Sequence, residues 1–227
     1  MTKAVELTHD AADGARERLI AAGLAVFGEY GFHAATTRRI AERAGVNLAA
    51  IPYYFGTKEN LYLAVAEHIA RKARSHMEPA LAAVERVLQA PDPGGEALTA
   101  ALLSLLDRFA QFLLSPRASP EMGRFVLMEQ LAPSAAFDIL FENAMRHLQR
   151  AVAAVLGQLL GRTAESTEIR LRANMFLGQV VMFRAAGGLM LRSLGHSRYE
   201  ESDRTLIRSL IADHSRRLLA SLSREMS

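Results

Sequence analysis

Helical periodicity is the feature that most constrains the fold of this chain. Apolar residues recur every three or four positions along almost all of its 227 residues, and no stretch sustains the alternation of a half-buried strand. Residues that favour helices, chiefly Ala, Leu, Arg, Glu and Met, dominate the sequence. We therefore predict an all-α fold, with enough chain for a small N-terminal domain and a larger second domain.

Several classes of protein are excluded by composition. The chain has no cysteine, so it cannot hold disulfides, iron-sulfur clusters or thiolate zinc sites. Its histidines lack metal-ligand spacing, and no catalytic or nucleotide-binding motif occurs. We predict no catalytic residue, no metal and no cofactor. An enzyme using Glu129 with His147 is the weakest alternative.

Neither export nor membrane insertion is predicted. The first 30 residues contain five acidic residues and no apolar stretch of the kind found in signal peptides. The most apolar long window, residues 173–191, contains Arg184, and an arginine at a membrane centre costs about 2.5 to 3.5 kcal/mol on insertion scales. We interpret this window as a buried helix and predict a cytoplasmic protein.

The N-terminal pattern predicts three helices followed by a long one. A first helix over 13–30 precedes a short helix over 37–44, which Thr36 caps and Gly45 ends. A third helix over 48–54 follows the cap Asn47, and a fourth begins at Lys58. This is the outline of a helix-turn-helix module. We place the domain boundary near residue 60, giving a DNA-binding domain over 1–60 and a helical ligand-binding and dimerisation domain over 61–227. In the second domain, Pro79 predicts a helix break, and the helices predicted further along the chain include 134–160 and 167–194.

Positive charge and hydrogen-bond donors concentrate on this module. Residues 30–58 carry four basic residues and one acidic residue. Donors suited to phosphate contact are Thr36, Thr37, Arg38, Tyr54 and Lys58. The exposed face of the third helix offers groups for reading base edges, namely Asn47, Leu48, Ala49, Pro52 and Tyr53. Arg38, Arg39 and Arg43 could equally form a solvated helix face.

Pro52 is unusual inside a recognition helix. Proline cannot donate a backbone hydrogen bond and disfavours helical geometry at the preceding residue. We expect this helix to be kinked or very short.

The spaced motif residues together resemble the DNA-binding domain of the TetR family of bacterial transcriptional regulators. They are Gly31-Phe32, Thr36-Thr37-Arg38, Ile40-Ala41, Ala44-Gly45-Val46, Tyr54-Phe55-Gly56 and Lys58-Glu59-Asn60-Leu61. Segments at 47–51, 129–137 and 177–179, with Tyr199, are similar to the CecR-like branch of that family. The resemblance implies a homodimer that binds a palindromic double-stranded DNA operator, with the last two long helices of each subunit forming the dimer interface. It also implies an unidentified small-molecule effector that releases the DNA, and most members of the family are repressors.

A ligand cavity in the C-terminal region is a further hypothesis. Its candidate residues are aromatic, methionine and polar side chains in apolar stretches: Phe109, Phe112, Phe125, Met128, Glu129, Met175, Gln179, Met182 and Phe183. Such apolar residues more often form plain core, and Glu129 could instead pair with Arg184. The competing function is a helical partner-binding module that kept the helix-turn-helix shape but lost DNA reading through Pro52.

Overall fold

The computed structural model describes the backbone of residues 2–116 and 119–225, and the side chains of 14–116 and 119–222. Helices account for its regular structure, and these described ranges contain no strand. The α-helices are α1 Thr2–Ala34, α2 Thr37–Ala44, α3 Ala50–Phe55, α4 Lys58–Leu88, α5 Gly95–Leu114, α6 Pro120–Leu131, α7 Ala135–Leu140, α8 Arg146–Leu159, α9 Thr167–Ala185, α10 Gly187–Leu194 and α11 Glu201–Glu225. The all-α prediction is confirmed.

The chain divides into two compact units that are discontinuous in sequence. Unit 1 comprises residues 1–72 and 119–143, and unit 2 comprises residues 73–118 and 144–227. The chain passes between them within α4, near residue 118 and within a π-helical segment, Phe141–Met145. The predicted domain boundary near residue 60 does not coincide with a border between these units. That boundary concerns which residues bind DNA, and it stays a prediction.

Unit 1 is built around α1, which packs against both α2 and α6. Gly28 lets the two backbones of α1 and α6 approach closely, because a Cβ there would lie 2.7 Å from the Glu121 Cβ and 2.8 Å from the Glu121 carbonyl carbon. Arg124 Nε donates to the Gly28 carbonyl oxygen over 2.9 Å at the same crossing. Helix α6 is therefore part of the same unit as the helix-turn-helix.

Unit 2 has its own apolar core, formed by the second half of α4 together with α5, α8, α9 and α11. Helix α5 is apolar and long enough to cross a membrane, but Leu102, Leu105 and Leu106 on it are fully buried in this core. It is the central helix of unit 2.

Three sequence-based helix limits were wrong. Helix α4 continues through Pro79 instead of breaking there; the proline is exposed, while Met77, Ala80 and Val84 around it are buried in the core and hold the helix. The helix predicted over 167–194 is two helices that meet at 67° before Gly187. The helix predicted over 134–160 is interrupted by the π-helical segment, the kind of insertion that often marks functional sites.

Candidate DNA-binding surface

Local hydrogen bonds fix the turn between α2 and α3. Thr36 Oγ1 accepts from the backbone N–H of Arg39 at 3.2 Å, and this caps α2. Gly45 ends α2 with φ 64°, a left-handed conformation that favours glycine. Asn47 Oδ1 then accepts from the backbone N–H of Ala49 at 2.9 Å and leads the chain into α3. The predicted caps Thr36 and Gly45 are thus found in the structure. Asn47 is not the N-cap of α3: the helix starts two residues later than predicted, after Ala49 and without a side-chain cap, and Asn47 stabilises the turn before it.

Pro52 lies in the first turn of α3 and not in its middle. The helix begins at Ala50 and has six residues, so the missing N–H of its third residue is one that a first turn leaves unpaired. The neighbouring bonds remain, since Ile51 N–H donates to the Leu48 carbonyl and Tyr53 N–H to the Ala49 carbonyl. The proline is accommodated because the recognition helix is very short.

The base-reading candidates share one exposed face. Asn47, Leu48, Ala49, Pro52 and Tyr53 are all exposed, with 49% of Leu48 and 80% of Tyr53 accessible to solvent. On the opposite face, Ile51 and Phe55 are buried in unit 1. The structure therefore brings the five predicted reading residues together on one surface.

One of the candidate phosphate donors, Lys58, has a second role. Lys58 Nζ donates to the carbonyl oxygens of Phe32 at 2.9 Å and of Ala35 at 3.0 Å, and it lies 4.3 Å from the centre of the Phe32 ring. An ammonium has three donors, so one N–H remains for a phosphate. Lys58 therefore also ties the start of α4 to the end of α1 and to Ala35, which follows it, a role that sequence analysis missed.

The arginines of α2 are held by neighbouring side chains. Arg38 Nε donates to Glu42 Oε1 at 2.9 Å, although both side chains are mostly exposed. The Arg39 guanidinium lies 4.2 Å from the centre of the Tyr30 ring, and Arg43 pairs with Glu29 of α1 at 3.5 Å. Such exposed pairs are weak, so a phosphate can compete for these cations.

Thr36 is exposed, whereas Thr37 and Tyr54 are half-buried. The Tyr54 and Tyr53 rings meet edge to face with centres 4.8 Å apart. This contact gives the exposed Tyr53 ring a defined neighbour on α3.

The nine candidate ligand contacts fall in different surroundings. Phe125 is buried in unit 1, and Met128 Sδ lies near Gly31 of the same unit. Phe109, Phe112 and Phe183 are half-buried in unit 2, where Gln179 donates to Ser215 Oγ at 2.8 Å. Met175 and Met182 are 68% and 51% exposed, so they lie on the surface of unit 2 and not in its core. Their role as ligand contacts stays a prediction.

An open cleft of about 270 Å³ in unit 2 has a different lining. Its residues are Leu88, Ala154, Gly157, Gln158, Arg162 and Ala164. Ligand pockets usually enclose about 300 to 1,000 Å³. This cleft shares no residue with the predicted pocket, and it lies just below the usual size.

Glu129 is a buried carboxylate with a complete set of partners inside unit 1. It is 4% exposed, and its Oε1 accepts from the Tyr62 hydroxyl at 2.6 Å. Its Oε2 accepts from the backbone N–H of Ser134 at 3.2 Å and from the Ser134 hydroxyl at 2.8 Å. Ser134 is also the N-cap of α7. These bonds account for the buried charge without a ligand.

The Tyr62 ring joins this network to an aromatic cluster. Its centre lies 4.9 Å from that of Phe27, 5.0 Å from Phe32 and 4.6 Å from Phe125. Burial, and next the hydrogen bond to Glu129, raise the pKa of the Tyr62 phenol. The phenol therefore keeps its proton and remains a donor throughout the neutral range.

Two family models match the chain. Residues 19–65 match the model described as bacterial regulatory proteins of the TetR family. Residues 98–222 match the C-terminal domain of the HTH-type transcriptional dual regulator CecR.

Curated relatives agree with both matches. The HTH-type transcriptional dual regulator CecR of Shigella flexneri is 34% identical over 92% of this chain and 93% of its own length. The repressor AcnR of Corynebacterium glutamicum is 38% identical over 37% of this chain and 45% of its own length. These relatives are transcriptional regulators and not enzymes.

Solved structures show the same fold at low sequence identity. A TetR-like regulator from Rhodococcus sp. RHA1 is 18% identical, with a TM-score of 0.62 over 91% of this chain and 96% of its own. FadR from Bacillus subtilis, solved with stearoyl-CoA, is 16% identical, with a TM-score of 0.57 over 88% and 96%. These structures share the fold, and the two family models with the CecR relative show that this chain belongs to the TetR family of bacterial transcriptional regulators, in its CecR-like branch.

Proposed function

We propose that the protein is a cytoplasmic, dimeric repressor that binds a palindromic operator and is released by a small molecule bound in its C-terminal helical domain. The observation that carries the proposal is the exposed face of α3 within a helix-turn-helix that also holds the donors Arg38 and Lys58. The relatives support a regulatory role, since CecR is a dual regulator and AcnR a repressor. The structure of FadR with stearoyl-CoA shows that this fold can hold a ligand.

An exposed apolar stripe supports the dimer. On α9, Leu171, Met175, Gly178 and Met182 are exposed at the i, i+4, i+7 and i+11 positions of one helix face. On α11, Leu206 and Leu210 are exposed one turn apart. Large apolar side chains repeated on one face of a helix mark a surface that another molecule covers. A second copy would pair these two helices with their equivalents, as the family resemblance implies.

The proposal is tested by selecting binding sites from random duplex DNA with the purified full-length protein. We expect enrichment of a palindrome whose two half-sites are bound by one dimer. Affinity should then fall steeply with salt, because each neutralised phosphate adds about 0.9 to the slope of log affinity against log salt. If folded protein enriches no sequence and binds every duplex weakly, the partner-binding function replaces the regulatory one.

Replacing Lys58 by alanine should weaken binding to all DNA sequences alike. Its remaining N–H is the donor for a phosphate, so we expect the salt slope to fall by about one. Titrations of operator and random duplex at several salt concentrations measure this slope. Lys72→Ala, which removes an exposed lysine of α4 outside the helix-turn-helix, should leave the slope unchanged. A Lys58→Ala slope equal to that of the wild type would show that Lys58 only joins α4 to α1.

Shortening Leu210 should weaken the dimer. Burying a leucine side chain contributes about 1.5 to 3 kcal/mol, and a symmetric interface loses it twice. We therefore expect Leu210→Ala to raise the dimer dissociation constant by about a hundredfold, measured by analytical ultracentrifugation. Leu131→Ala, at an exposed leucine of α6, should leave the constant unchanged. A wild-type chain that sediments as a monomer at micromolar concentration would refute the proposed interface.

A further inference from the structure

The reading face of α3 carries almost no polar groups. Residues 44–57 contain no Lys, Arg, His, Asp, Glu or Gln. Their one side-chain amide is Asn47, and its Oδ1 already accepts from the backbone N–H of Ala49. The other exposed side chains of the face are Leu48, Ala49, Pro52 and Tyr53. Apart from the Asn47 amide N–H groups and the Tyr53 hydroxyl, this face therefore presents hydrocarbon to a base edge.

Reading of guanine from this face lacks its usual donor. Guanine is recognised in the major groove by Arg or Lys, which donate to its O6 and N7 acceptors. Arg16 of α1 lies with its guanidinium 5.4 Å from the centre of the Phe55 ring, which is on the buried face of α3. On α2, Arg38 pairs with Glu42, Arg39 lies over Tyr30 and Arg43 pairs with Glu29 of α1. Each of these arginines therefore already has a partner outside the exposed face of α3.

Thymine presents the one apolar group of the major groove, its C5 methyl. A hydrocarbon side chain against this methyl removes both from water, whereas the same side chain against guanine leaves two acceptors without a partner. An apolar face thus favours T·A pairs and disfavours G·C pairs. Burial of one methyl contributes about 0.8 kcal/mol, or about fourfold in affinity.

We propose that the protein reads its operator mainly through thymine methyl groups, which Leu48, Ala49 and Pro52 contact. This inference rests on the proposed DNA-binding function. In helix-turn-helix proteins the N-terminal residues of the recognition helix meet the base edges. Leu48 and Ala49 directly precede α3, and Pro52 lies in its first turn. Leu48 is the largest of the three, and its side chain is half exposed.

The test replaces thymine by deoxyuridine in the selected operator, one symmetric pair at a time. Deoxyuridine keeps the base pairing and the O4 acceptor and lacks only the methyl. At one or more positions we expect affinity to fall about fifteenfold, which is fourfold in each half-site. At those positions a C·G pair should bind weakly, and 5-methylcytosine should recover part of the loss.

A second arm assigns the contact to Leu48. The Leu48→Ala variant should bind the thymine operator more weakly and lose most of its sensitivity to deoxyuridine at one position. Leu131→Ala, a matched change of an exposed leucine on α6, should keep the full sensitivity. Circular dichroism of both variants confirms that each is folded.

The outcomes separate this inference from the proposed function. If every deoxyuridine operator binds within twofold of the original and 7-deazaguanine substitutions weaken binding, the protein reads polar guanine edges, and thymine reading is wrong. In that case the enriched palindrome would still support the proposed DNA-binding function. If no sequence is enriched at all, the proposed DNA-binding function itself fails.

Discussion

Replacing Gly28 by alanine should lower the free energy of unfolding of unit 1 by about 3 kcal/mol, the upper end of the cost of overpacking a close contact. The added Cβ would overlap the carbonyl oxygen of Glu121 and lie 2.7 Å from its Cβ. Most of these atoms belong to the backbone of α6, so no side-chain rotation relieves the overlap. The two helices must separate, and the bond from Arg124 to the Gly28 carbonyl is then strained.

Chemical denaturation followed by circular dichroism measures the loss, and Gly14→Ala is the matched control. Gly14 lies in the same helix, and its added Cβ would meet only the end of the Arg18 side chain at an ordinary 3.5 Å. Alanine there should be neutral or stabilise by up to about 1 kcal/mol, since glycine is a poor helix residue. Equal stability of the Gly28→Ala and Gly14→Ala variants would contradict the close packing of α1 on α6.

Removing the Glu129 carboxylate should cost about 3 kcal/mol, because breaking a buried polar network leaves its other members without partners. In Glu129→Ala the buried Tyr62 hydroxyl loses its acceptor, and so do the N–H and hydroxyl of Ser134. We expect the midpoint temperature of thermal unfolding to fall by several degrees. Because Ser134 caps α7, the start of α7 should also exchange its amide hydrogens faster.

Two further variants show whether the loss arises from this network. Tyr62→Phe removes only the hydroxyl, and it should cost about 1.5 to 3 kcal/mol, the range for a hydrogen bond to a charged group. The double variant should lose less stability than the sum of the two single losses, because both substitutions remove the same hydrogen bond. Glu168→Ala, at an exposed carboxylate paired with Arg172, should cost less than about 1 kcal/mol. Strict additivity of Tyr62→Phe and Glu129→Ala would exclude a shared interaction.

The helix-turn-helix could be predicted because its signals are local in sequence. Thr36, Gly45 and Asn47 each act within four residues along the chain, and their residue types are those that caps and turns require. The same local reasoning was wrong for Pro79. There the apolar residues on either side are held by distant helices, and this packing outweighs the preference of proline against a helix interior.

The roles of Lys58 and Glu129 could not be predicted, since their partners are remote. Lys58 reaches carbonyls 23 and 26 residues away, and Glu129 accepts from a hydroxyl 67 residues away. The exposure of Met175 and Met182 could not be predicted for a related reason. Helical spacing places Met175 and Met182 on one apolar face, but spacing alone does not tell a face covered by the same chain from a face left on its surface.

The division of unit 1 into two stretches of sequence bears on how hybrid regulators can be assembled. A gene fusion that exchanges only the first 72 residues separates Gly28 from Glu121 and Tyr62 from Glu129. The transplanted segment then packs against an α6 whose surface is complementary to the α1 of a different protein. Exchanging residues 119–143 as well keeps both complementary surfaces in one polypeptide. A functional chimera of this protein therefore needs three crossover points, within α4, near residue 118 and in the π-helical segment.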